Sequence, residues 1–214
     1  MFVSPGMEQA KQPMNSTGGV INLSKGARIN LSKEAPTLRK MMVGLGWDAN
    51  DKSNGNLNDF DLDASIFMID KNGKTREDGF IFYNNLKGPN NSVIHQGDNR
   101  TGDGDGDDEQ IYIDLDLIPA DIERLAITIT IDEADRRNQN FGMVRNAYCR
   151  LVNNDTNEEQ LRFDLENEFS IETALVVAEL YRYNGGWKFN AIGAGFSGGL
   201  LALCKNYGLD AEYR

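Results

Sequence analysis

The chain has 214 residues, 40 % of them hydrophobic and 26 % charged, with a formal net charge of -11. That balance supplies a core and disfavours nucleic acid or an anionic membrane surface as the main partner, because both require a basic stripe. No apolar run approaches the ~18 residues that would span a bilayer, so no direct membrane insertion is expected.

Residues 1–19 are expected to form an N-terminal tail or docking arm, since Pro5, Gly6, Pro13, Gly18 and Gly19 punctuate polar residues that show no period. Met1-Phe2-Val3-Ser4-Pro5 has neither a basic head nor an apolar stretch. No signal peptide is therefore expected, and a reducing, cytoplasmic setting is. Residues 20–214 show no composition break and are taken as one domain. Ile21-Asn22-Leu23-Ser24-Lys25 is echoed by Ile29-Asn30-Leu31-Ser32-Lys33 across Gly26, which predicts a hairpin or two adjacent strands. A strand follows from Lys40 to Leu45, then an Asn-, Asp- and Gly-rich surface loop from Asp48 to Asp59. Phe60 to Ile69 is a strong strand: period two places Phe60, Leu62, Ala64, Ile66 and Met68 on one face and Asp61, Asp63 and Ser65 on the other. Further strands are expected at Phe80–Tyr83 and leading into His95.

Beyond residue 110, strands are predicted at Ile111–Leu117, Leu125–Ile131, Val144–Val152 and Glu159–Leu165. Pro119–Glu123 suits one helical turn and Asp132–Asn140 a polar loop. Ala174–Tyr183 and Trp187–Ile192 form a hairpin across Asn184-Gly185-Gly186, and Leu200–Tyr207 a short amphipathic helix stopped at Gly208. Cys149 in a strand and Cys204 on an apolar helix face are expected as buried thiols. The pattern predicts an all-β fold, an antiparallel β-sandwich of two sheets with a short C-terminal helix.

The stretch Gly97–Glu109 concentrates six carboxylates, Asp98, Asp103, Asp105, Asp107, Asp108 and Glu109, with four glycines and one cation, Arg100. A hard cation with 6–8 oxygen ligands, such as calcium, would relieve their repulsion. A solvated acidic loop is the competing reading. The loop is not an EF-hand: Asp108 stands where that motif requires glycine, Asp114 where it requires glutamate, and the flanks are strands. Any calcium site would lie between loops at a sandwich edge, with Asp61 and Asp63 as second donors. His95 is expected at the surface. Gly195-Phe196-Ser197-Gly198-Gly199 matches a nucleophile elbow, but the lone histidine precedes the serine, the wrong order for that hydrolase class. Ser197 is better placed as a cap for the last helix. The same glycines do not open a βαβ unit.

Several motifs in order resemble the TerD family of tellurium-resistance and general stress proteins. They are Gly44-Leu-Gly-Trp-Asp48, Phe60-Asp-Leu-Asp-Ala-Ser65, Phe82-Tyr-Asn-Asn85, Gly97-Asp-Asn-Arg-Thr-Gly102, Gly106-Asp-Asp-Glu109, Gln139-Asn-Phe-Gly142 and Glu179-Leu-Tyr-Arg182. The resemblance spans about Val20 to Leu209. It implies a non-enzymatic β-sandwich that binds calcium, more than one ion, through Asp61, Asp63, Asp98, Asn99, Asp107, Asp108 and Glu109. Asp103 and Asp105 fall where the family pattern is looser. It further implies sister TerD-like proteins and a membrane partner as associates. A structural subunit docking through residues 1–19 is the alternative.

Overall fold

Strand β4 (Leu62–Asp70) shows how the period-two pattern sorts the chain. Leu62, Ala64, Ile66 and Met68 enter the main core, whereas Phe67 and Ile69 face the opposite way into a second apolar layer. A computed structural model describes residues 20–22, 28–29, 38–50, 58–102, 106–165 and 169–210. The expected arm at residues 1–19, and Asp103 and Asp105, lie outside the described residues.

Among the described residues, two six-stranded sheets face each other. The first holds, in spatial order, β1 (Ile21–Asn22), β10 (Glu158–Asp164), β9 (Tyr148–Asn153), β3 (Lys40–Gly46), β7 (Glu109–Asp114) and β6 (Val93–His95). The second holds β2 (Arg28–Ile29), β12 (Gly186–Phe196), β11 (Ala174–Tyr183), β8 (Ile122–Ile131), β4 and β5 (Thr75–Ile81). All pairings are antiparallel except that of β1 with β10. Inward side chains of both sheets form one core, with Met41, Leu45, Leu62, Ile111, Leu125 and Ile127 almost wholly out of solvent. The expected sandwich is therefore observed.

Only the starts of the echoed segments, Ile21–Asn22 and Ile29, lie within the described residues, and these do not pair with each other. Ile21 pairs with Leu161 and Ile29 with Phe189, so the two fill open edges of different sheets. The sequence pattern shows that each segment alternates, not which edge takes it. Other boundaries move for local reasons. Asp114 ends β7 because its carboxylate accepts the Asp116 N–H, turning the chain three residues before the expected end. Strand β8 starts at Ile122, so the turn expected at Pro119–Glu123 is a single turn, closed by the Ile122 N–H donating to the Pro119 carbonyl at 3.1 Å, and no helix. Asp132–Asn140 contains a one-turn helix, Ala134–Arg137, and a 3-10 turn at Phe141–Met143 delays β9 to Tyr148.

The second apolar layer explains why β4 is apolar on both faces. Phe67, Phe80 and Phe82 stack with centroid separations of 4.4 and 4.2 Å, under Leu203, Cys204 and Tyr207 of the C-terminal helix Gly199–Asn206. Ser197 is not the cap of this helix. The cap position is Gly198, which has no side chain to offer, and the Thr173 hydroxyl accepts from the Gly198 and Gly199 N–H groups at 3.2 and 3.0 Å. Cys149 lies in the core between the sheets and Cys204 in the outer layer, both as free thiols. No helix among the described residues is long and apolar enough to cross a membrane.

Candidate metal centre

Asp61 and Asp63 stand at the start of β4, alternating with core residues Phe60, Leu62 and Ala64. Their side chains therefore emerge together on the outer face of the second sheet. The acidic loop between β6 and β7 brings Asp98 to them. One oxygen each of Asp61, Asp63 and Asp98 lies within 4.8 Å of the others. The strand entry carrying Asp61 and Asp63 and the acidic loop, expected at one end of the sandwich, thus meet there.

Asp132 joins this end of the sandwich because β8 pairs with β4, Ile131 opposite Leu62, and the Asp132 N–H donates to the Asp61 carbonyl at 2.8 Å. Together with Tyr83, Arg100, Arg136 and Arg137 these residues line a cleft of about 620 Å³. Arg137 pairs with Asp132 at 3.2 Å and Glu133 at 3.1 Å, reaching Asp61 only at 3.9 Å. Arg100 holds Asp98 at 3.0 Å from the solvent side.

The carboxylates repel one another strongly. Burial first, then the charges of Asp98 and Asp132, pushes the Asp61 carboxyl up to about 6. Burial, then Glu109 and Asp61, pushes Asp63 up to about 9. The Oδ1 atom of Asp61 is buried with no hydrogen-bond partner. A buried anionic oxygen without a donor is costly unless a cation answers it.

Glu109 works across the two sheets. Its Oε2 accepts the Ala64 N–H at 2.6 Å, while Oε1 is buried and unpartnered. Burial raises its carboxyl, against the lowering effect of its hydrogen bonds with His95 and Ala64. His95 is not at the surface. The Gly97 N–H donates to its Nδ1 at 3.1 Å, which places the ring hydrogen on Nε2, facing the Ala64 carbonyl at 3.2 Å and Glu109 at 3.7 Å. β5 pairs with β4 only from Ile66 onward, so the Ala64 backbone finds its partners on these two side chains. Sequence reasoning saw the lone histidine beside charged residues and missed this cross-sheet tie.

Asn99, Asp107 and Asp108 also make contacts that hold the loop in place. Asp108 accepts the Trp47 backbone N–H and the Asn99 amide, each at 2.9 Å. Asn99 Oδ1 accepts the Thr101 N–H at 3.2 Å. Trp47 lies beneath the loop, donating from Nε1 to the Phe60 carbonyl at 3.1 Å. Gly102 rests on that indole: its φ is +67° and a Cβ there would meet Nε1 at 2.4 Å. Asp107 points away from Asp61 and Asp63, onto the outside of the first sheet, where Arg150, Tyr148 and Gln110 hold it.

An all-oxygen, multiply anionic cluster with a buried unpartnered oxygen fits a hard divalent cation and not zinc or copper, which favour nitrogen and sulfur. Asp61, Asp63 and Asp98 would hold it; Glu109, whose charge acts on Asp63, has a further buried oxygen, Oε1.

The TerD domain family model matches residues 20–207. Among curated proteins, general stress protein 16U of Bacillus subtilis (strain 168) is 52 % identical over 191 residues, covering 89 % of this chain and 98 % of the relative. A tellurium resistance protein TerD from Alcaligenes sp is 51 % identical over 193 residues, covering 90 % of this chain and 99 % of the relative. The crystal structure of a homologue of the telluride resistance protein from Streptomyces coelicolor A3(2) superposes with a TM-score of 0.66 at 22 % identity, covering 78 % of this chain and 95 % of that one. At that identity the likeness concerns the fold.

Proposed function

This chain belongs to the TerD domain family, and on that premise we propose that it is a non-enzymatic calcium-binding protein of tellurite and general stress resistance. It acts through calcium-dependent contacts with other proteins, in the cytoplasm. The observation that carries the reading is the meeting of Asp61, Asp63 and Asp98, with a buried Asp61 oxygen that no donor answers. Bound calcium would supply positive charge that lets these carboxylates ionise side by side. The stress and tellurite roles follow the names of relatives matched over nine-tenths of the chain.

Two features favour binding over catalysis. Both nitrogens of His95 are engaged with backbone groups, and Ser197 is an exposed residue of the turn before the C-terminal helix. Two buried free thiols suit a reducing compartment.

Calorimetric titration of metal-free protein with calcium tests the reading. A saturable heat and a higher melting temperature in calcium than in EDTA are expected, both lost in the Asp61→Asn/Asp63→Asn double variant. A flat titration with superimposable melting curves would refute it.

A further inference from the structure

We propose that the trough running from the acidic cluster to the C-terminal helix is a docking surface for a basic, apolar segment of a partner protein. A groove of about 500 Å³ lies between them. Asp63, Asp132 and Asp135 line one end, and Phe82, Leu200 and Leu201 the other. The groove shares Asp63, Tyr83, Asp132 and Glu133 with the acidic cleft, so the two depressions are continuous. Two continuous depressions suit an extended chain better than a compact small molecule.

Charge and apolarity together select the occupant. Arg100, Arg136 and Arg137 line the cleft, but no lysine or arginine lines the groove among the described residues. Asp135 is exposed and makes no ion pair among the described residues. An acidic segment is repelled there, and a basic one is attracted before contact. The other end needs apolar side chains. The helix turns Leu203, Cys204 and Tyr207 onto the second sheet, which leaves Leu200 and Leu201 half-buried at its first turn, beside the half-buried end of the aromatic stack at Phe82. A segment that interleaves lysine or arginine with leucine or phenylalanine matches both ends. This names a partner surface for the protein-binding part of the role proposed above and rests on that part alone. It does not rest on the metal, because Asp135 and the two leucines lie outside the Asp61, Asp63 and Asp98 cluster.

The test is fluorescence anisotropy with the full chain and three labelled peptides. One alternates leucine and lysine, one replaces lysine by glutamate, and one pairs lysine with serine at equal charge. The leucine–lysine peptide is expected to bind at least about tenfold tighter than the lysine–serine peptide, and the glutamate peptide not at all. Asp135→Lys and Leu200→Asp should each weaken the first peptide by about tenfold or more. Equal affinity for both lysine peptides, or no weakening in either variant, overturns the proposal. If Leu200→Asp does not fold, Asp135→Lys at its exposed position decides alone. Calcium calorimetry on the same samples separates the two readings. Peptide preference without a calcium heat leaves the docking surface standing and removes the metal, and a calcium heat without peptide preference does the reverse.

Discussion

Asp107 and Arg150 clasp each other on the outside of the first sheet, with the Arg150 Nε and Nη2 groups donating to the two Asp107 carboxylate oxygens at 2.8 and 3.0 Å. The Asp107 side chain is wholly out of solvent. It fills the space that a side chain on β3 would take: a Cβ at Gly44 would lie 2.4 Å from the carboxylate. The C-terminal end of the acidic loop is thus fastened to one sheet while Asp98 reaches toward the other. Arg150→Met would leave Asp107 buried with only Tyr148 and Gln110, and a loss of about 3 kcal/mol is expected. Gly44→Ala should act in the same direction. Urea unfolding in EDTA reads both, and unchanged midpoints in both would show that the clasp does not hold the loop.

Calcium uptake should release protons. With its carboxyl up at about 9, Asp63 carries a proton at neutral pH, whereas Asp61 at about 6 is largely ionised. A carboxylate must lose its proton to ligate a hard cation, so close to one proton should leave on binding near neutral pH. Titrations in two buffers of different ionisation enthalpy should therefore give different observed heats. Identical heats would mean that Asp63 is ionised beforehand or is not a ligand.

The same two groups set the pH dependence of the metal-free fold. Both carboxyls are raised in the folded state, to about 6 and about 9, above the ~3.9 of an unfolded aspartate. The folded chain therefore binds more protons between those limits, and stability falls as pH rises. Melting temperature in EDTA should drop from about pH 5 to about pH 9. Asp63→Asn should flatten most of that slope, and so should saturating calcium. A melting temperature that rises over this range would contradict the assignment.

Thr173 should be replaceable by serine and not by valine. Its hydroxyl accepts both N–H groups at the start of the C-terminal helix. Thr173→Val removes the acceptor at nearly constant shape, with an expected cost of about 1 kcal/mol. Thr173→Ser should retain most of the stability. Thermal unfolding followed by circular dichroism compares the three chains.

The sandwich was legible because period two is strong where one face is buried, as in Phe60–Ile69 and Leu125–Ile131. Asp61 and Asp63 were legible for the same reason, since alternation with Leu62 forces both onto one face. Proximity across strands was not. Nothing local marks Asp132 as the neighbour of Asp61, because that depends on the register of β8 against β4. Asp107 looked like Asp98, since composition cannot show to which side of a loop a carboxylate turns. Its partner Arg150 lies 43 residues away. His95 was misjudged likewise: a polar residue at a strand end is ordinarily exposed, and only the unpaired Ala64 backbone of the opposite sheet gives it an interior role.

Cys149 and Cys204 sit in different layers, one between the sheets and one on the inward face of the C-terminal helix, with the second sheet intervening. Burial pushes their thiols up, to about 12 and about 11, so neither reacts as a thiolate while its layer is closed. The chain therefore carries two built-in clocks. A thiol reagent should consume Cys204 at the rate at which the helix lifts and Cys149 at the rate at which the sandwich itself parts. Equal rates would mean that the molecule opens as one cooperative unit. A faster Cys204 would make the helix a separate, weaker one.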